Sequence, residues 1–370
     1  MNRQQRVDAC RRELANADAA AALLFPSVDM AYLSGFTDEP MERVLFLIVP
    51  WEGEPIFVAP EMYDEQIRDA SWVEDIRTWG DGDDPYALVE TVAAECGFTG
   101  ERLLVDDRMW ALFTTELRDR FPDATFGLAS EAVGPLRLRK DDAELAALRS
   151  AGAVADAASA AIRSLGRDAV GLTERELAGR IETELDSHGG DGVSFEPIVA
   201  SGPNGAKPHH RHGDREIHAG DPVVLDFGTR VDGYPSDQTR TVVFDGTPPE
   251  AFERVHQIVR EALEAGVDAV EPGVSAHEVD AAARQVIEAA GYGEQFIHRT
   301  GHGLGLEVHE PPYIVEGNDQ PLEPGMVFSV EPGVYLDGEF GVRIEDIVAV
   351  TDDGSERLND SPHGWRTESQ

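Results

Sequence analysis

The second half of the chain contains five short segments that place acidic or imidazole side chains within apolar, strand-like or glycine-rich sequence. These segments are residues 223–228, 236–241, 301–310, 328–333 and 341–346. The side chains that could do chemistry in them are Asp226, Asp237, His302, Glu331 and Glu345. A carboxylate that is buried in an apolar strand must be protonated, paired with a cation or bound to a metal ion. Arg240 and Arg343 are the only obvious cationic partners nearby, so the pattern favours metal ions.

The balance of charge indicates two metal ions rather than one. The four carboxylates carry four negative charges, which two divalent cations would neutralise, and His302 adds a neutral nitrogen ligand. An oxygen-dominated site with one imidazole suits Mn²⁺ or Co²⁺, with Fe²⁺ or Zn²⁺ as further candidates. Two such ions about 3.5–4 Å apart can hold a bridging hydroxide and polarise a carbonyl group together. The five segments therefore predict a hydrolase with two metal ions.

In their order and spacing, the five segments resemble those of the pita-bread (M24) metallopeptidases, which include methionine aminopeptidase, prolidase and aminopeptidase P. Residues 1–134, with the sequence DMAYLSGF at residues 29–36, are similar to the creatinase-type N-terminal domain that methionine aminopeptidases lack. The resemblance covers essentially the whole chain. It implies an α+β protein with a creatinase-type N-terminal α/β domain at residues 1–134 and a pseudo-symmetric pita-bread catalytic domain at residues 135–370.

The resemblance also implies a place for each metal ligand. Asp226 would chelate one ion, whereas His302 and Glu331 would hold the other. Asp237 and Glu345 would bridge both ions. Creatinase keeps the fold but lacks these ligands, so the complete set in this sequence argues against a metal-independent activity of that kind.

Further residues match positions of the active site in the prolidase-like members of this family. They are His209, His298, His309, Glu331 and Arg343. By this resemblance, His209 would assist the binding of substrate and intermediate, and His309 would contact the carbonyl of the scissile bond or the new amine. Arg343 would orient the last metal ligand or bind substrate. The neighbouring His210 and His212 are interpreted as histidines without a catalytic role.

Hydrophobic periodicity predicts the elements that must position these residues. In the N-terminal domain it indicates strands at residues 20–25, 44–49, 56–59 and 103–106, and helices at residues 1–18, 60–70, 85–96 and 109–120. Residues 134–140 are predicted to connect the domains. The catalytic domain is predicted to contain helices at residues 142–165, 173–188, 249–269 and 275–290, each pair followed by strands. Two helices followed by strands, twice over, indicate the pseudo-symmetric arrangement.

The composition is strongly acidic, with 71 Asp and Glu against 31 Lys and Arg, and a net charge of −40. Such a field repels phosphate backbones and anionic lipid surfaces, so neither nucleic acid nor a membrane is an expected partner. Lysine occurs only at Lys140 and Lys207. Excess carboxylate with little lysine suits a cytosol of multimolar salt, where charges are screened within about 3 Å. We therefore predict a protein from a halophile.

The two cysteines, Cys10 and Cys96, are too few for a disulfide framework, and we interpret both as buried or half-buried thiols. Residues 1–18 are polar, without the apolar core of a signal peptide, and the longest uninterrupted apolar runs are no longer than a strand. A cytoplasmic location is expected. The family resemblance further implies a homodimer.

The leading functional hypothesis is hydrolysis of the peptide bond before proline in a proline-containing peptide, by an Xaa-Pro dipeptidase or an Xaa-Pro aminopeptidase. In this hypothesis Glu331 transfers the proton from the attacking water to the leaving imino nitrogen. The sequence leaves the length of the peptide open. One alternative keeps the metal ions but acts on a small non-peptide amide such as ectoine. Another is a non-catalytic binding protein of the same fold, against which the intact ligand set argues.

Overall fold

The computed structural model describes residues 1–367. The chain divides into two compact units, the first consisting of Met1–Arg137 and the second beginning at Leu138. The segment at residues 134–140, which was predicted to connect the domains, is mostly helical, because helix α6 extends over Ser130–Leu138 with Pro135 inside it. Leu136 and Val133 bury the inner face of this helix. The predicted boundary after residue 134 remains a prediction.

The first unit consists of one mixed sheet with helices around it. Its strands are β1 (Ala21–Leu24), β2 (Phe46–Pro50), β3 (Ile56–Pro60), β4 (Asp75–Trp79), β5 (Arg102–Val105) and β6 (Thr125–Leu128). Its helices are α1 (Arg3–Asn16), α2 (Val28–Ser34), α3 (Asp64–Ala70), α4 (Pro85–Cys96), α5 (Ala111–Arg120) and α6, with a 3₁₀ turn at Glu61–Tyr63. The strands lie in the order β4-β3-β2-β1-β5-β6. Strands β2 and β3 pair antiparallel as a hairpin.

The second unit contains four helices in its described part. These are α7 (Asp142–Ser164), α8 (Glu174–Ser187), α9 (Phe252–Asp268) and α10 (Ala276–Ala289), with 3₁₀ turns at Gly166–Ala169, Gly202–Ala206 and Gly293–Gln295. Asp141 caps α7, and its carboxylate accepts hydrogen bonds from the first turn. Helix α8 begins with a capping box, in which the side chains of Thr173 and Glu176 accept hydrogen bonds from each other's backbone N–H groups.

The strands of the second unit follow each helix pair. They are β7 (Ile198–Ser201), β8 (Val223–Phe227), β9 (Arg230–Val231), β10 (Tyr234–Pro235), β11 (Gln238–Val242), β12 (Gly301–Gly303), β13 (Glu310–Ile314), β14 (Val327–Val330), β15 (Gly333–Leu336), β16 (Phe340–Arg343), β17 (Asp346–Val350) and β18 (Ser355–Arg357). One sheet has the order β11-β8-β7 and another the order β13-β12-β14-β17-β18. The order of two helices and then strands therefore occurs twice, as predicted.

Helix α7 is the one helix of residues 1–367 that is long and apolar enough to cross a membrane, judged by length and composition alone. The sequence shows no uninterrupted apolar run of that length, because polar residues such as Asp156 interrupt the alanines. The helix buries Leu148 and Ile162, and Glu144 and Arg163 are buried in it as well. A core helix of a globular protein has these same features.

Candidate metal centre and active site

The strands of the second unit bring all five predicted metal ligands to the same region. Strand β8 contains Asp226, Asp237 lies immediately before β11, and these two strands pair antiparallel. His302 is in β12, whereas Glu331 follows β14 directly and Glu345 lies between β16 and β17. Four of the five are buried, and the Glu331 side chain is 16% exposed. Carboxylates in such surroundings need a cation or protons.

The donor atoms of three of these residues converge. One ligand atom each from Asp237, His302 and Glu345 lies within 4.8 Å of the other two. Nε2 of His302 is 3.3 Å from Oε1 of Glu331 and 3.8 Å from Oδ2 of Asp237. Two ligand atoms that each lie about 2.1 Å from one ion are about 3.0–3.4 Å apart. The pair formed by His302 and Glu331 has the spacing of two ligands of one ion.

The tautomer of His302 leaves Nε2, the ring nitrogen that faces the carboxylates, free to bind a metal ion. Its Nδ1 lies 3.3 Å from the carbonyl oxygen of Gly303, which can only accept a hydrogen bond. Nδ1 therefore holds the proton, and Nε2 presents a lone pair to the carboxylates. Burial, and then the nearby His309, lower the pKa of His302 to about 3, so the ring is neutral at physiological pH. A neutral imidazole is the form that ligates metal.

Two carboxylate oxygen atoms in the site are buried without a hydrogen-bond partner among the described residues. They are Oδ1 of Asp226 and Oε1 of Glu345. An unpartnered buried acceptor is costly unless an ion binds it. Burial, and then the negative charges of neighbouring carboxylates, raise the pKa of Asp237 and Glu345 well above their usual values. The donor set therefore fits two divalent cations, which would replace both the missing hydrogen bonds and the missing positive charge.

Arg343 holds two of the carboxylates in place. Its Nη2 donates to Oδ2 of Asp226 at 2.5 Å, and its Nε donates to Oγ1 of Thr239 at 3.1 Å. The Thr239 hydroxyl donates in turn to Oε2 of Glu345 at 2.7 Å. The arginine thus orients Asp226 directly and Glu345 through the threonine. Sequence reasoning missed Thr239, although strand alternation places it opposite Asp226 in the register of β8 and β11.

A tyrosine that sequence reasoning also missed connects Arg343 with His298. The Arg343 Nη1 donates to the Tyr335 hydroxyl, which lies 2.9 Å from Nε2 of His298. Nδ1 of His298 is 2.7 Å from the carbonyl oxygen of Arg299 and must be its donor. Both ring nitrogens of His298 are therefore engaged, and burial lowers its pKa to about 4. This geometry suits a histidine that acts on the site through Tyr335.

The other two predicted histidines, His209 and His309, lie beside the metal-ligand cluster and are more exposed to solvent than His302. The ring of His309 is 4.0 Å from that of His302, centre to centre. Burial first, and then the charges of Arg299 and His209, lower the pKa of His309. The exposed His209 follows the 3₁₀ turn at Gly202–Ala206. His209 and His309 therefore share the open side of the site.

The two neighbouring histidines have structural contacts. The Nε2 of His210 lies 2.8 Å from Oε2 of Glu174, and Nδ1 of His212 lies 3.0 Å from the carbonyl oxygen of Pro197. Neither contact involves a predicted metal ligand. Their interpretation as histidines outside the chemistry agrees with these partners.

Comparison with known proteins gives the family. Residues 146–352 match Metallopeptidase family M24, and residues 6–139 match the Creatinase/Prolidase N-terminal domain. The probable dipeptidase PepE of Mycobacterium tuberculosis is 42% identical over 94% of this chain and 92% of its own length. The Xaa-Pro dipeptidase of Lactobacillus helveticus is 38% identical over 94% of this chain and 95% of its own.

A solved structure supports the same relationship over the whole fold. The crystal structure of recombinant prolidase from Thermococcus sibiricus matches with a TM-score of 0.93 and 42% identity, covering 99% of each chain. The expected combination of a creatinase-type N-terminal domain and a pita-bread catalytic domain is confirmed. The chain belongs to metallopeptidase family M24.

Proposed function

We propose that this chain is an Xaa-Pro dipeptidase that hydrolyses the bond between an amino-terminal residue and proline. The observation that carries the proposal is the convergence of ligand atoms from Asp237, His302 and Glu345 within 4.8 Å. Unpartnered oxygens on Asp226 and Glu345 support a second ion in the same cluster. The similarity to proteins named Xaa-Pro dipeptidase and prolidase supports the substrate class.

Five residues would hold the metal ions in this proposal. They are Asp226, Asp237, His302, Glu331 and Glu345. When bound, two divalent ions supply an acidified water molecule and polarise the scissile carbonyl group. Mn²⁺ or Co²⁺ suits the oxygen-rich donor set best, with Fe²⁺ or Zn²⁺ as alternatives.

Glu331 is the residue we assign to proton transfer. Burial raises its pKa to about 7 in the metal-free protein, and a buried carboxyl group beside the metal ligands can act first as base and then as acid. Its Oε1 lies 3.3 Å from the Ser329 hydroxyl, which fixes the orientation of the carboxyl group. Glu331 would take the proton of the attacking water and deliver it to the imino nitrogen of proline. A departing secondary amine needs that proton to leave.

His209 and His309 are the groups that would stabilise the tetrahedral oxyanion. Both lie at the open side of the cluster, and the lowered pKa of His309 keeps its ring neutral and able to donate through one N–H. A donor aimed at an oxyanion is worth about 3–4 kcal/mol in the transition state. Arg343 would hold Asp226 in place during this step through its 2.5 Å hydrogen bond.

A paired assay tests the proposal. The protein is loaded with Mn²⁺ or Co²⁺ and given an Xaa-Pro dipeptide in one tube and an Xaa-Pro-Yaa tripeptide in the other. Glu331→Gln is the blank, because it removes the proton carrier. We expect cleavage of the dipeptide with little cleavage of the tripeptide.

The outcomes separate the candidate activities. Cleavage of the tripeptide alone would replace the dipeptidase assignment with an Xaa-Pro aminopeptidase. Failure on both peptides by metal-loaded protein would refute the peptidase assignment, and activity on a small amide such as ectoine would then identify the alternative. An inert protein that binds metal would indicate a non-catalytic member of the fold.

The cysteines and the net charge bear on the location and the partners of the protein. We propose a cytoplasmic enzyme, because Cys10 and Cys96 are free thiols, as expected in a reducing compartment. We also propose a homodimer, which sedimentation equilibrium would test. Nucleic acid is not an expected partner because of the net charge of −40.

A further inference from the structure

Glu174 is a fully buried carboxylate that belongs to neither the metal cluster nor the proposed proton path. It is the first residue of α8, and none of its surface is exposed. Burial opposes its ionisation, yet hydrogen bonds from Asn204, Ser201 and His210 hold the pKa of Glu174 below its usual value. The side chain is therefore a buried anion that needs donors around it.

The donors come from a single stretch of chain, residues 201–213. Oε1 of Glu174 accepts from the Ser201 N–H at 2.8 Å, the Ser201 hydroxyl at 2.8 Å and Nδ2 of Asn204 at 3.0 Å. Oε2 lies 2.8 Å from Nε2 of His210 and accepts from the Gly213 N–H at 3.2 Å. One carboxylate thus fixes the beginning, the middle and the end of this stretch, which we call the 201–213 loop.

The 201–213 loop also contacts the machinery of the site. His209, one of the two proposed oxyanion donors, lies in it directly before His210. The carbonyl oxygen of Pro208 lies 3.4 Å from Nη1 of Arg343. In the first half of the loop, Gly205 packs so closely on Gly341 that a Cβ at residue 205 would lie 3.1 Å from the Gly341 nitrogen. The position of His209 therefore depends on how this loop is held.

We propose that Glu174 is a positioning residue that holds the 201–213 loop so that His209 faces the scissile bond. The inference rests on the proposed function for the role of His209, whereas the anchoring of the loop stands on the hydrogen bonds alone. A neutral side chain at residue 174 would lose the charge-assisted bonds, each about twice as strong as a neutral one. The loop would then sample other positions, and His209 would be aligned for only part of the time.

Capping of helix α8 does not account for the buried carboxylate of Glu174. Thr173 and Glu176 already form the capping box, with Glu176 accepting from the Thr173 N–H at 2.8 Å. Glu176 is exposed, and its carboxylate accepts hydrogen bonds from the backbone N–H and the hydroxyl of Thr173. It therefore offers a matched control on the same helix turn.

The test is a double-mutant cycle on the metal-loaded full chain. Glu174→Gln is made alone and together with His209→Asn, with Glu176→Gln as control, and kcat and KM are measured on an Xaa-Pro dipeptide. We expect Glu174→Gln to lower kcat at least 10-fold with a change in KM below about threefold. In the His209→Asn background the same substitution should change kcat by less than about twofold, because the loop then has no donor to position. Glu176→Gln should leave kcat within about twofold.

Hydrogen–deuterium exchange gives a second measurement that does not need activity. Glu174→Gln should speed exchange at the backbone N–H groups of Ser201 and Gly213 at least 10-fold, with little change in α9 and α10. If Glu174→Gln does not fold, Asn204→Ala removes one donor from the loop side and should give a smaller change of the same kind.

The failures of the two proposals are distinguishable. Wild-type protein that cleaves no Xaa-Pro dipeptide refutes the proposed function, while faster exchange in Glu174→Gln still supports the anchoring. Exchange equal to wild type, or equal losses of kcat in both backgrounds of the cycle, overturns the role of Glu174.

Discussion

Replacing Lys140 with methionine tests the energetics of the second unit most directly. The Lys140 Nζ lies 2.9 Å from Oε1 of Glu310, and the two side chains are only 1% and 4% exposed. Methionine fills similar volume but removes the ammonium group that lies against the buried Glu310 carboxylate. Breaking a buried ion pair costs about 3–5 kcal/mol. Because the Glu307 N–H also donates to Oε2 of Glu310 at 3.3 Å, we expect a loss near 3 kcal/mol.

Urea unfolding followed by circular dichroism measures this loss, with the transition of the second unit fitted by itself. Lys207→Met is a matched control, since Lys207 is exposed and is the other lysine of the chain. It should change the free energy of unfolding by less than about 0.5 kcal/mol. The double variant Lys140→Met with Glu310→Gln should recover most of the stability, because it removes both charges of the buried pair. A loss below about 1 kcal/mol for Lys140→Met, or a double variant no more stable than the single, would refute the reasoning.

Three further predictions concern pH, packing and salt. Burial raises the pKa of Glu331 from 4.5 to about 7, so metal-free folded protein binds more protons than the unfolded chain between these values. The stability of the metal-free protein should therefore fall as pH rises through 7. Melting temperatures at pH 5 and pH 8, measured with chelator and with Mn²⁺, check this prediction. An equal fall in melting temperature with chelator and with Mn²⁺ would contradict it. Gly341→Ala should lower kcat and accelerate exchange in the 201–213 loop, because its Cβ would collide with the carbonyl oxygen of Gly205; unchanged exchange would oppose it. Dilution from about 3 M to about 0.05 M KCl should unfold the protein, because less salt screens its net charge of −40. Circular dichroism follows the unfolding. Full stability in low salt would contradict the prediction of a halophilic protein.

The central strands of the first unit were predictable from the sequence, because strands buried on both faces consist of consecutive apolar residues. Strands β1, β2 and β3 are entirely buried and read as continuous apolar runs. The missed strands β4 (Asp75–Trp79) and β6 (Thr125–Leu128) are the two edges of the same sheet. Edge strands are half-exposed and mix charged with apolar residues, so periodicity does not distinguish them from loops. Helix α2 was missed because its seven residues show less than two turns of pattern.

Residues of the candidate site were predictable where they interrupt an apolar strand. Asp226 and Glu345 are exceptional within their own segments, so local sequence identifies them. Thr239 and Tyr335 are ordinary strand residues, and only the folded structure shows that they connect Arg343 to its neighbours. Thr239 is 106 positions from Glu345 and Tyr335 is 37 positions from His298, and one sequence does not reveal contacts at such separations.

Groups that would bind metal differ from groups that position them in whether their charges and hydrogen bonds are satisfied within the protein. The cluster of carboxylates is unstable by itself, since burial and mutual repulsion raise the pKa of Asp237 and Glu345. Around it, the bonds of Arg343, Thr239 and Glu174 are satisfied within the protein. The fold thus concentrates unsatisfied charge where cations would bind and surrounds it with completed hydrogen bonds. These hydrogen bonds fix the orientation of the ligand carboxylates, and such preorganisation favours metal binding.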